Sequence, residues 1–285
     1  MSGPRLTGVK VLLEGPSGTG KTYALGALVD WCAKQTPVMN VCVLFTERGL
    51  ETLLGYWSDR GLPVPPNLHW RDLITRPVGL SAMLTAAQNV GKLSYDGVTK
   101  LTDAARSQNN PFEAVLAACN DFQCDRTGEK LGSVDSWTAN TIFVIDGLSE
   151  LSNAAMKMVI GSKPTAAPAD YGVAQNMLMN FLRLCTQGCA CHFVLLAHVG
   201  REKDEMTGSI KLMTRAVGGA ISGDIPPMFS DVIFTVREGT AFSWDTANAN
   251  VDVKTRNLPI AAKQPPNFAS IMEKWSARAK AAGAK

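Results

Sequence analysis

Gly15-Pro16-Ser17-Gly18-Thr19-Gly20-Lys21-Thr22 matches the phosphate-cradling pattern G-x-x-x-x-G-K-S/T at every fixed position. An apolar run holding Val9, Val11, Leu12 and Leu13 precedes it, and Tyr23 to Ala33 read as a helix after it. Phosphate binding needs that order of strand, loop and helix. Glycines let backbone N–H groups converge on anionic oxygens, and the following helix turns its positive N-terminal end toward them. Gly15, Pro16, Ser17, Gly18, Thr19, Gly20, Lys21, Thr22 and Tyr23 are therefore the expected binding segment for ATP. Lys21 is expected at the β- and γ-phosphates and the Thr22 hydroxyl at Mg²⁺. The alternative is a glycine-rich turn that binds nothing.

Three further apolar runs have informative ends. Residues 41–46 lead to Glu47, residues 141–145 to Asp146, and residues 192–197 to His198. Runs without polar alternation suit strands buried on both faces of a parallel sheet. Ligands of such sheets bind at the carboxyl ends of the strands, where these polar residues fall. Helical patterns cover 81–92, 111–121, 173–187 and 268–282, and a short strand is expected near Leu68-His69-Trp70. From Asp231 the pattern turns hairpin-like, through Arg237, Ala241–Trp244 and Val251–Lys254. Residues 56–137 read as an elaboration, with helical segments, inside one domain spanning 1–285. Residues 262–285 form a basic C-terminal tail with Lys274, Arg278, Lys280 and Lys285.

The 285 residues are 46% hydrophobic and 19% charged, which suits one large soluble α/β domain. A net charge of +3 is too small to imply a nucleic-acid partner by itself. No apolar run is long enough for a bilayer and the amino terminus lacks a signal-peptide core, so no membrane partner and a cytoplasmic location are expected. Seven cysteines, an odd number, fit free thiols in a reducing compartment. Cys185, Cys189, Cys191 and His192 are close in sequence, but they straddle a helix end and a strand start, so small apolar packing competes with metal binding.

Asp146, ending a strand downstream of the glycine-rich loop, is the expected second Mg²⁺ ligand opposite Thr22; a turn-starting aspartate is the plain alternative. Hydrolysis needs a group to orient or deprotonate water. Glu47 is the candidate base, with Glu150 as its competitor and pairing with Arg48 as its structural alternative.

The order of loop, Glu47, Asp146, His198 and the glycine-rich Val217–Gly223, followed by Lys254-Thr255-Arg256, resembles the core of RecA-like recombinases over residues 9–55 and 138–260. Asp146-Gly-Leu-Ser-Glu-Leu, Asp170-Tyr171-Gly172 and Leu196-Ala-His198 resemble, more narrowly, minimal RecA-like ATPases of bacteriophages, some of which anneal or recombine single strands. The resemblance implies an α/β RecA-like P-loop NTPase core, with a mostly parallel central sheet flanked by helices and a C-terminal antiparallel extension. It implies that Glu47 activates water and that His198 senses the γ-phosphate; a histidine packed at a strand end is the alternative. It implies a homo-oligomer in which Lys254 and Arg256 act in trans on a neighbour's ATP; a solvated basic strand end is the alternative.

The resemblance also implies that the segments 157–172 and 199–224 face single-stranded DNA. Their cations Lys157, Lys163, Arg201, Lys203, Lys211 and Arg215 would contact phosphates without reading sequence. Glu202, Asp204 and Glu205 dilute the second segment, and mixed-charge solvent loops are the alternative. Phage replication or recombination proteins, in a host cytoplasm, are the implied setting. An oligomeric motor or helicase-like ATPase in phage DNA replication or packaging, and a nucleotide-dependent protein-binding switch, stay open beside annealing. Only about eight residues precede the first strand, which argues against a separate amino-terminal domain.

Overall fold

The computed structural model describes residues 6–74, 79–92, 110–161, 166–203 and 210–283. Seven strands form one sheet: β1 (Lys10–Glu14), β2 (Asn40–Phe45), β3 (Leu68–Asp72), β6 (Thr141–Asp146), β7 (His192–Ala197), β10 (Asp231–Glu238) and β11 (Ala241–Asp245). Their spatial order is β11-β10-β1-β7-β6-β2-β3, and every neighbouring pair is parallel except β10 and β11. Two small antiparallel pairs lie outside it, β4 (Phe122–Gln123) with β5 (Lys130–Gly132), and β8 (Val199–Lys203) with β9 (Ile210–Thr214).

The continuous apolar runs give these strands because both sheet faces are covered. Side chains alternate across a strand, so Leu12, Leu44, Phe143 and Leu195 enter one core while Leu13, Val43, Val144 and Leu196 enter the other. The first core is closed by α4 (Pro111–Asn120), α5 (Leu148–Ile160) and α6 (Pro168–Arg183). The second is closed by α1 (Lys21–Ala33), α2 (Leu50–Ser58) and α7 (Phe268–Ala281). Each fully buried Leu here contributes about 2 kcal/mol, so the two cores hold the strand ends in fixed register. A further helix, α3 (Leu80–Gly91), lies between β3 and α4 in sequence. Among the described residues no helix is long and apolar enough to cross a membrane.

The short strand expected near Leu68-His69-Trp70 is present as β3, and it forms an edge of the central sheet. Its outer edge is occupied: Asp125 N–H donates to Trp70 O at 2.8 Å, Asp72 N–H donates to Asp125 Oδ2 at 2.7 Å, and the Arg126 guanidinium donates to Leu68 O at 2.7 Å. Several expectations need correction. The segment 199–224 is not simply a loop, because β8 and β9 pair within it. Val251–Lys254 is not a strand; it makes only isolated bridges, Val251 to Leu212 and Lys254 to Val232. Residues 254–257 instead wrap the buried Asp231 carboxylate, which accepts from Thr255 Oγ1, Arg256 N and both nitrogens of Asn257. Within the basic C-terminal tail, Arg278 donates to Asn257 Oδ1 at 2.9 Å and to Arg256 O at 2.8 Å.

Candidate active site

The C-terminal ends of β1, β2, β6 and β7 meet on one side of the sheet around a cavity of about 430 Å³. Ser17 through Tyr23, Glu47, Arg48, Gly49, Asp146 and His198 are among its lining residues. Gly15 and Pro16 are not in the wall; their carbonyls accept hydrogen bonds from Lys21 Nζ, each at 2.8 Å. Gly18 and Gly20 take left-handed φ angles of 76° and 81°, which L side chains disfavour. That geometry turns the loop so that α1 begins at Lys21 with no side chain capping it. Its N-terminal end therefore lacks a side-chain acceptor for the first N–H groups. The backbone N–H groups of Ser17, Gly18, Thr19 and Gly20 find no acceptor among the described residues.

Thr22 Oγ1 donates to Asp146 Oδ2 at 2.9 Å. Gly49 lies against the same carboxylate, and a Cβ on it would come 2.0 Å from Oδ2. Thr46 Oγ1 donates to Asp146 O and Gly147 O at 3.1 and 2.7 Å, tying the end of β2 to the end of β6. Burial pushes the Asp146 carboxyl up to about 6, helped by the charge of Glu47 and opposed by the Thr22 hydroxyl and Lys21. Burial also pulls Lys21 down to about 8, against the pull of Asp146, Glu47 and Glu14. Both groups are held charged at a cost, and a ligand that brings opposite charge would relieve both.

Glu47 Oε2 lies 3.0 Å from His198 Nε2, so its partner is His198 rather than Arg48. Burial raises the Glu47 carboxyl, but the His198 hydrogen bond and charge, the Glu150 N–H and Lys21 outweigh it and hold Glu47 below the ordinary carboxylate range. Glu150 is exposed, accepts from Asn153 Nδ2 and lines a different space. That space is a second cavity of about 830 Å³, which shares Glu47, Arg48 and His198 with the first and adds Lys157, Tyr171 and Arg215. The Glu47–His198 pair is thus a common wall of two cavities.

Of the cations expected at DNA, the structure brings Lys157 and Arg215 together at this second cavity. Lys157 belongs to α5 rather than to a loop. Arg201 is exposed on β8, and Lys203 ends that strand. Lys211 is paired with Asp252 at 2.8 Å, so its charge is already answered. Lys163 lies outside the described residues, as does Lys285. Lys254 and Arg256 line neither cavity; Lys254 Nζ donates to Pro227 O at 3.3 Å and the Arg256 side chain is exposed.

For magnesium, Thr22 and Asp146 are the hard oxygen donors the ion prefers. No group of three His, Cys, Asp or Glu suited to an ion occurs among the described residues. The protein would therefore share such an ion with phosphate oxygens and water, as Mg²⁺ usually is shared. Cys185, Cys189 and Cys191 turn their carbonyls, not a thiol cage, to one point: Lys10 Nζ donates to all three at 3.0, 2.8 and 2.7 Å. His192 Nδ1 accepts from Val9 N–H at 3.0 Å.

Sequence reasoning missed Glu14, Thr214 and Thr235. Thr235 Oγ1 contacts Thr19 Oγ1 at 2.6 Å and donates to Glu14 O at 3.1 Å, fastening the loop to β10. A charged residue directly after the apolar Val11-Leu12-Leu13 and before Gly15 was the available signal for Glu14. No protein-family model matches the chain, and no curated protein matches it.

Proposed function

We propose that this chain is a RecA-like P-loop ATPase that binds Mg·ATP, hydrolyses it, and couples its nucleotide state to single-stranded DNA. The observation that carries the reading is the Thr22–Asp146 hydrogen bond inside a cavity that also holds Lys21 and Glu47. A structural turn has no need to gather a buried acid, a half-buried one, a buried lysine and unpaired loop N–H groups around open space.

In this reading the N–H groups of residues 17–22 and Lys21 bind the phosphates; Lys21 leaves the Gly15 and Pro16 carbonyls to do so. Thr22 and Asp146 would hold magnesium, which supplies positive charge to the β- and γ-phosphates when bound. Glu47, kept ionised, accepts a proton from the water that attacks the γ-phosphorus, while the bond to the bridging oxygen breaks and ADP leaves. His198 positions Glu47 and reports its state to the chain that follows. The exposed Arg256, whose backbone is fixed between Asp231 and Arg278, acts with Lys254 on the site of a neighbouring subunit. Lys157, Arg215 and Arg48 suit the phosphates of a single strand in the second cavity.

Magnesium-dependent ATP turnover, together with fluorescence anisotropy of a labelled oligonucleotide with and without a non-hydrolysable analogue, tests the reading. Absence of ATP binding refutes it. ATP binding without salt-sensitive binding to single strands leaves the protein-binding switch. DNA binding with directional unwinding leaves the motor.

A further inference from the structure

Glu14 is fully buried at the end of β1, directly before the loop. Its Oε2 accepts from Thr214 Oγ1 at 2.6 Å, and its Oε1 is buried with no hydrogen-bond partner. An ionisable group placed like this costs stability unless something else is gained. Thr214 is the last residue of β9, and the next residue, Arg215, donates its N–H to His198 O at 2.8 Å. The base of the β8–β9 hairpin is therefore fixed at two neighbouring points. Thr214 holds it to Glu14 and so to the loop, and Arg215 holds it to His198, which faces Glu47. The charged groups acting on Glu14 are Lys21, from the loop side, and Asp252, from the chain beyond β11. Only Lys21 is a residue that a phosphate ligand would draw away.

We propose that Glu14 is a positioning residue that couples the Gly15–Thr22 loop to the β8–β9 hairpin, so that ligand at the loop is reported to the hairpin through Thr214. This deepens the nucleotide reading and rests on it. Burial pushes the Glu14 carboxyl up to about 7, opposed by the Thr214 hydroxyl and, more weakly, by Lys21; when Lys21 moves to phosphate, the Thr214 hydroxyl is the opposing contact that remains. Glu14 then takes up its proton more readily, accepts more weakly from Thr214, and the hairpin base loosens at that point while the Arg215–His198 bond remains. Arg201, exposed on β8, lies on this hairpin, so what the hairpin reports reaches an exposed cation.

The test is hydrogen–deuterium exchange of residues 199–203 and 210–214 with and without saturating AMP-PNP and Mg²⁺, with nucleotide affinity measured alongside. In the wild-type chain these amides are expected to change exchange rate by about tenfold on binding. Thr214→Val keeps the shape and removes the hydroxyl; Glu14→Gln keeps an acceptor and removes the charge. Both are expected to bind nucleotide yet shift the hairpin amides by less than about twofold, while Thr214→Ser keeps the full response. If Glu14→Gln does not fold, Thr214→Val against Thr214→Ser decides alone. A wild-type hairpin that ignores bound nucleotide, or Val and Gln variants that respond as wild type does, overturns the coupling and leaves the ATPase reading intact. A wild-type chain that binds no nucleotide overturns both.

Discussion

Replacing Asp146 with asparagine separates what this side chain costs the fold from what it does. Burial raises its carboxyl from 3.8 to about 6. A carboxyl whose pKa is higher in the folded state binds protons more tightly there. Its ionisation therefore penalises folding increasingly as pH rises from the unfolded value through the folded one, and fully above it. With about 1.36 kcal/mol per pH unit between those two values, that penalty is about 3 kcal/mol near pH 8 and falls to about 1 kcal/mol near pH 4.5. Asparagine has nearly the same shape, can still accept from Thr22, and carries no charge. For a chain of this size the ligand-free variant should melt about 5–10 °C above wild type near pH 8, with the gap shrinking to a few degrees near pH 4.5. Differential scanning fluorimetry of nucleotide-free protein at both pH values reads this directly. The same variant should lose the magnesium-dependent part of any melting rise that ATP produces in wild type. A variant that melts at or below wild type near pH 8, or a gap independent of pH, refutes the idea that this carboxylate is held charged against the interest of the fold.

Lys21→Ala should lose ATP binding, measured by equilibrium titration with a fluorescent analogue; retained affinity defeats the loop assignment. Glu47→Gln should keep binding but slow turnover by about 10²-fold or more, and unchanged turnover in a phosphate-release assay hands the base role to Glu150. Arg256→Ala should turn over slowly alone yet regain activity when mixed with Lys21→Ala subunits, since each supplies what the other lacks; no recovery argues against action in trans. Lys157→Ala with Arg215→Ala should weaken oligonucleotide binding and flatten its salt dependence by about one to two contacts, while an unchanged slope moves the DNA surface elsewhere.

What could be read from the chain was what short segments dictate by themselves. Uninterrupted apolar runs gave the buried strands to within a residue or so, and polar residues stationed immediately after them gave Glu47, Asp146 and His198. What escaped reading depends on partners far along the chain. Val199–Lys203 alternates charge and looks like solvated loop, but Leu212 N–H donating to Asn250 O and Thr214 donating to Glu14 help make its hairpin. Val251–Lys254 has strand-like composition, yet the buried Asp231 carboxylate draws the following N–H groups into a wrap that no local propensity encodes. The cysteine cluster reads as packing or as metal binding because side chains are visible in a sequence; the carbonyls that hold Lys10 are not.

Sheet edges normally invite further strands. Here the turn at Asp125 and Arg126 consumes Leu68 O, Trp70 O and Asp72 N on the outer side of β3. At the opposite border Trp244 exchanges backbone hydrogen bonds with Gln264. A neighbouring protomer seeking to dock by extending the ladder would first have to displace these plugs. Among the described residues, both borders of the central sheet are thereby closed to ladder extension at these backbone groups.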